Sequence, residues 1–156
     1  MALWDLTSLR TRWIDTQEWA AGKLDRPGRY YLAPHLRTGH LGERAVLFEL
    51  RRRGCAVVAR RWTSPRLRGD IDLIAWDGDC LCFLEVKTRT SRHIVPAEAA
   101  VDDDKRRTLR RLARAYLRSF PEKHRSAIPT RFEVVSVYML GGAPEFNFFP
   151  GAFGWD

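Results

Sequence analysis

The sequence predicts an α/β fold, a mixed β-sheet flanked by helices, and three observations carry that prediction. Two apolar runs, Ile71 with Leu73 to Trp76 and then Leu81 to Val86, are separated by Asp77-Gly78, a dipeptide suited to a two-residue hairpin turn. Phe132 to Leu140 is apolar on both faces and reads as an internal strand. Helical patterns precede and follow the hairpin, giving the order helix, three strands, helix, strand.

In chain order, residues 1–34 form a Trp-rich extension ahead of a domain over residues 35–156. Trp4, Leu6, Leu9, Trp13, Ile14 and Trp19 fit one amphipathic helix that stops near Gly22, before Pro27-Gly28 and Pro34. Such a helix packs on the core or on a second copy, or its rings stack bases. The next helix is expected from Gly39 to Arg53, closed by Gly54 as a left-handed cap. At about 100° per residue, Glu43 falls between Leu47 and Leu50 on the apolar face, where a carboxylate needs an arginine or a functional site. Cys55 to Trp62 then reads as a strand. Arg60, Arg61, Arg66 and Arg68 flank the polar loop after it, either to bind phosphate or simply to be solvated.

In the hairpin, a loop of Asp77-Gly78 puts Ile74 opposite Leu81, Asp72 opposite Phe83 and Asp70 opposite Glu85. Alternation brings Asp70, Asp72, Glu85 and Lys87 to one face. Ile71, Leu73, Leu84 and Val86 make the other face apolar, and Ile74, Leu81 and Phe83 make the charged face apolar farther along, so both sides expect a cover. Carboxylates gathered there repel one another and lose hydration unless a cation compensates. Oxygen-only ligands suit Mg²⁺ or Mn²⁺. The other reading is a solvent-facing edge on which Asp70 and Glu85 pair with Arg68, Lys87 and Arg89.

After a loop containing His93 and Pro96, a helix is expected from about Ala97 to Phe120. Leu109, Leu112, Ala113, Tyr116, Leu117 and Phe120 form its buried stripe, and Lys105 lies in line with them, over the acids or snorkelling along the core. Its outer arginines, Arg106, Arg107, Arg110, Arg111, Arg114 and Arg118, make a solvated face or a phosphate-binding ridge. Gly141-Gly142 turns the chain after the internal strand, and Phe146 to Phe149 is a candidate edge strand.

A length of 156 residues suits one domain with a substantial core, and 45% hydrophobic with 29% charged residues is the balance of a folded protein. No apolar run is long enough for a membrane span and no secretory signal pattern opens the chain, so a cytoplasmic location is expected. Cys55, Cys80 and Cys82 read as free thiols in a reducing compartment, since no second Cys or His pair has zinc spacing. The net charge of +8 is carried largely by arginine, which favours phosphate backbones. An acidic cluster within so basic a chain suits a phosphodiester substrate and its metal.

Asp72 at the end of one strand, followed on the next by Glu85-x-Lys87, resembles the active-site signature of the PD-(D/E)xK nuclease superfamily. The wider string is Thr38-Gly39-His40-Leu41-Gly42-Glu43, Gly69 to Ile74, Phe83 to Arg89, Lys105 and Arg131 to Val135. Over roughly residues 38–140 it is similar to the YraN-like proteins related to archaeal Holliday junction resolvases. That branch usually has Glu where Asp70 stands and Asp where Glu133 stands. The resemblance implies a restriction-endonuclease-like core of order αβββαβ and a metal-dependent endonuclease acting on nucleic acid, structured or branched DNA sooner than RNA. It implies Asp72, Glu85, Lys87 and Glu43 as the catalytic set, with Asp72, Glu85, the carbonyl of Val86, Glu43 and Asp70 around Mg²⁺ or Mn²⁺. Arg66, Arg68, Arg89, Lys105 and Arg106 are the corresponding candidates for nucleic-acid contact. A homodimer would suit paired incisions. The alternative is an adaptor of the same fold that grips nucleic acid with little or no catalysis, and a third reading is an assembly protein whose Trp-rich N-terminus binds a partner.

Overall fold

The computed structural model of the chain describes residues 34–92 and 101–156. The expected Trp-rich helix, the loop of His93 and Pro96 and the expected helix start at Ala97 lie outside them. Helix α1 spans Pro34–Arg52 and ends where Gly54 takes φ +94°, the left-handed cap expected. Strands β1 (Ala56–Ser64), β2 (Leu67–Asp77) and β3 (Cys80–Arg89) follow, then α2 (Asp103–Leu117), a short α3 (Glu122–Arg125), β4 (Thr130–Tyr138) and β5 (Glu145–Phe153). The five strands form one sheet in sequence order, with β3 and β4 parallel and the other neighbours antiparallel.

The parallel pair requires a crossover, and that crossover carries α2 onto one face of the sheet. Leu109, Leu112 and Ala113 of α2 pack there against Ile71, Ile74, Phe83, Phe132 and Val134. Ala45, Val46 and Leu50 of α1 cover the other face with Leu73, Ala75, Leu84, Val86, Val135 and Val137. This mixed, doubly covered α/β sheet is consistent with a restriction-endonuclease-like core. Among the described residues no helix is long and apolar enough to cross a membrane.

The hairpin turns one residue later than the Asp77-Gly78 reading. Asp77 pairs with Cys80, Ile74 with Phe83 and Leu73 with Leu84, so the loop is Gly78-Asp79. Within that loop Gly78 takes φ +57°, as a type II′ turn asks of its first residue. The register moves by two residues, which preserves facing, and one step beyond Leu73 and Leu84 it brings Asp72 level with Glu85 instead of Phe83.

Helix α2 begins at Asp103 because Asp102 caps it, its carboxylate accepting from the Lys105 backbone N–H at 2.8 Å. Phe120 packs on the core beyond the helix end. Strand β5 is longer than Phe146 to Phe149, and beyond it Trp155 returns to the core, 4.7 Å from the Phe132 ring, with its indole N–H on Thr130. Arg110 and Arg114 hold this tail by donating to the carbonyls of Gly154 and Trp155, so these two outer arginines have a structural task that neither a solvated face nor a phosphate ridge describes. Near the hairpin turn, Arg131 bridges Asp77 at 2.6 Å and the buried Glu133.

Candidate active site

Strands β2 and β3 stop pairing after Leu73 and Leu84, and the site is built in the gap that follows. The Val86 backbone N–H donates to Asp72 Oδ2 at 2.7 Å, so a side chain of β2 supplies the cross-strand acceptor there. This bond locks Asp72 beside Glu85, with exposures of 9% and 4%. Burial, reinforced by the charge of Glu85, pushes the Asp72 carboxyl up to about 7, and the Val86 N–H and the Lys105 ammonium offset only part of that rise. Two carboxylates so placed favour a bound proton or cation.

Lys87 and Lys105 both stand beside the acids. Lys87 Nζ donates to Glu85 Oε1 at 2.9 Å. Lys105 Nζ lies 2.9 Å from Glu85 Oε2, so the second oxygen is ion-paired as well. Burial alone would lower the Lys105 pKa, but Glu85, Asp72 and Asp70 together hold it above its ordinary value. Lys105 therefore sits over the acids, in ion-pair contact with Glu85.

Glu43 arrives from the opposite face because α1 crosses β3 at a glycine. A Cβ on Gly42 would overlap Thr88 Oγ1 and come within 2.9 Å of Val137 Cγ1, so a larger residue would lift the helix away. Burial raises the Glu43 pKa against the lowering effects of Arg61, His40 and Arg60. Its Oε2 is buried without a hydrogen bond, and the Nε atoms of Arg60 and Arg61 stand 4.0 Å away.

Asp70 does not join Asp72 and Glu85 on one regular strand face. Ile71 enters the core under α2 and Leu73 the core under α1, so the period of two breaks at Asp72, just after Gly69 at φ +92°. The Asp70 carboxylate lies 3.6 Å from Arg61, and Lys105 reaches only its backbone carbonyl. Of the candidate nucleic-acid contacts, Arg66 and Arg68 are exposed beside the β1–β2 turn, Arg89 is half-buried, and Arg106 lies over the Phe153 ring.

The gap opens into a hollow of about 450 Å³. Thr38, Gly39 and Glu43 line one wall, and Asp72, Glu85, Val86, Lys87, Thr88 and Thr90 the other. Among the described residues, no three His, Cys, Asp or Glu side chains are gathered closely enough to hold an ion as they stand. Asp72 and Glu85, which raise one another's cost of charge, make an inner acid pair, and Glu43 and Asp70, both beside Arg61, an outer one. The donors still fit a hard cation: all are oxygens, and Glu43 Oε2 is buried without a hydrogen bond, while Glu85 Oε2 is held by the Lys105 ammonium.

Arg61 stands beside Glu43 and Asp70 and is joined to His40, Nη1 to Nε2 at 2.9 Å. Sequence pattern places Arg61 only among four arginines flanking the β1–β2 loop, because nothing local tells which of them folds back over an acid.

A model of the uncharacterised protein family UPF0102 matches residues 42–137, which include every residue of the acid hollow except Thr38 and Gly39. A UPF0102 protein of Koribacter versatilis is 49% identical over 119 residues, covering 76% of this chain and 80% of the relative. One of Solibacter usitatus is 42% identical over 134 residues, covering 86% and 95%, and one of Geobacter metallireducens is 34% identical over 116 residues, covering 74% and 90%.

Proposed function

Since the chain belongs to the uncharacterised UPF0102 family, its chemistry has to be argued from the site itself, and we propose that it is a metal-dependent endonuclease that hydrolyses phosphodiester bonds in nucleic acid, structured or branched DNA before RNA. One observation carries this reading: Asp72 and Glu85 are buried side by side at the mouth of a hollow, with Lys87 beside them. A module that only gripped phosphate would gain nothing from buried negative charge facing its ligand.

Asp72, Glu85, the carbonyl of Val86 and Glu43 would hold Mg²⁺ or Mn²⁺. When bound, such an ion lowers the pKa of water and offsets charge on the phosphate. The chain's own groups do the rest. Lys87, with part of its side chain open to the hollow, orients the attacking water and donates to the non-bridging oxygens as their charge grows. Lys105 holds Glu85 in place from the α2 side. The water oxygen bonds to phosphorus as the bond to one bridging sugar oxygen breaks. One water proton ends on the freed hydroxyl and the other passes to solvent, leaving a phosphate monoester end.

The test is cleavage of labelled junctions, flaps, single strands and RNA in Mg²⁺, with binding measured in Ca²⁺. Asp72→Ala and Glu85→Ala should abolish cleavage and leave binding intact or tighter. Undiminished cleavage by both variants rejects the assignment.

A second reading, a nucleic-acid-binding adaptor without catalysis, is favoured by one contact set: Lys87 and Lys105 already neutralise Glu85 from both sides. Absence of ion binding in the millimolar range would select it.

A further inference from the structure

Four cations closest to the acids are held in different ways. Lys87 and Lys105 are both within 2.9 Å of Glu85, committed to one carboxylate. Arg60 reaches only Glu43, at 4.0 Å. Arg61 stands over both members of the outer acid pair, 4.0 Å from Glu43 and 3.6 Å from Asp70, too far to hydrogen-bond either. Its one hydrogen bond to a described residue goes to His40 Nε2, and because a guanidinium only donates, that ring nitrogen is the acceptor. Toward the described residues most of the guanidinium fork is therefore unspent, and the side chain has an exposure of 47%.

The backbone marks the same residue. Among the described residues Arg61 is the one non-glycine at positive φ, +49°, within a strand whose neighbours Arg60 and Trp62 pair regularly with Leu73 and Ile71. A side chain in that region is strained, and such strain gathers at ligand sites. A glycine here would relieve it, so the fold itself does not ask for arginine.

We propose that Arg61 is a phosphate-binding residue of the hollow, held ready by His40, Glu43 and Asp70, whose guanidinium takes two non-bridging oxygens of a backbone phosphodiester. Guanidinium and phosphate match as a two-pronged, charge-assisted pair, which the long contacts to Glu43 and Asp70 do not provide. Turning to the phosphate leaves those two acids free to face a cation, so substrate and ion support one another. The inference rests on the hollow being a phosphodiester site, and the experiment separates the two.

The full chain and its Arg61→Gly and Arg61→Lys variants are compared in three measurements: thermal melting, binding of a labelled DNA junction in Ca²⁺, and single-turnover cleavage in Mg²⁺. Arg61→Gly should melt at or above the wild-type temperature, bind DNA about tenfold more weakly and cleave about a hundredfold more slowly. Arg61→Lys, which restores charge without the fork, should recover less than a tenth of the rate. A lowered melting temperature for Arg61→Gly would show a structural role and overturn the inference. Wild-type cleavage and binding by Arg61→Gly would overturn it while leaving the hydrolase reading intact. If the wild-type chain cuts no substrate, the hydrolase reading fails, and DNA binding in Ca²⁺ then decides for Arg61: weakening by Arg61→Gly supports phosphate contact, and unchanged binding overturns it.

Discussion

Asp72 Oδ2 accepts the Val86 backbone N–H at 2.7 Å at the point where β2 and β3 cease to pair. A carboxylate that bonds a neighbouring strand's backbone cannot swing away, so this one contact both closes the end of the ladder and presents Asp72 to Glu85. The same contact holds an ionised group in a buried place, and stability and site chemistry pull against each other there.

Asp72→Asn keeps an acceptor for Val86 and removes the charge. The folded carboxyl titrates at about 7 against an ordinary 3.8, so between those values the folded chain holds a proton the unfolded chain has lost. Stability therefore falls as pH rises from about 4 to about 7 and stays reduced above. Without divalent ions the variant should be about 2–4 kcal/mol more stable at pH 8, with the gap closing near pH 4. Thermal melts across pH read this directly, and a less stable variant at pH 8 would contradict it.

Magnesium should remove the same penalty in the wild type. At ten times its dissociation constant an ion bound only by the folded state stabilises by about 1.4 kcal/mol, a shift of several degrees for a domain of this size. Glu85→Gln should abolish the shift, and calorimetry should agree.

Gly42→Ala should cost about 1–3 kcal/mol and reduce cleavage further than stability alone accounts for, because its methyl group wedges α1 away from Thr88 and carries Glu43 with it. Gly39→Ala, one turn earlier with nothing within 4 Å of the new atom, is the control and should stabilise slightly. Equal effects from both would show that close packing is not what places Glu43.

Arginines of this chain divide by what they hold. Arg110→Ala and Arg114→Ala should lower stability by loosening the Gly154–Trp155 tail while leaving DNA affinity nearly unchanged. Arg66→Ala with Arg68→Ala should leave stability alone, weaken binding to all sequences alike, and reduce the slope of log affinity against log salt by about 2. Binding isotherms at several salt concentrations distinguish the two classes.

Much of this architecture is legible in the chain. The Gly54 cap, the two-sided apolar β4, the stripe of α2 and the inward Lys105 follow from periodicities of 2 and 3.6, which depend on neighbours in sequence. The hairpin register was legible only to within two residues, because both turns put Gly78 in the loop at positive φ and a shift of two leaves facing unchanged.

Local pattern alone determined that Glu85 and Lys87 would share a side of β3, since alternation along an unbroken strand leaves them no other place, whereas the break in alternation at Asp72 was not legible there. Tertiary structure decided how close the acids come, which of the many arginines folds over them, and how near α1 brings Glu43. Those outcomes depend on a broken ladder at Asp72, a missing side chain at Gly42 and a strained turn of backbone at Arg61, each a compromise between chain segments that sequence neighbours alone do not encode.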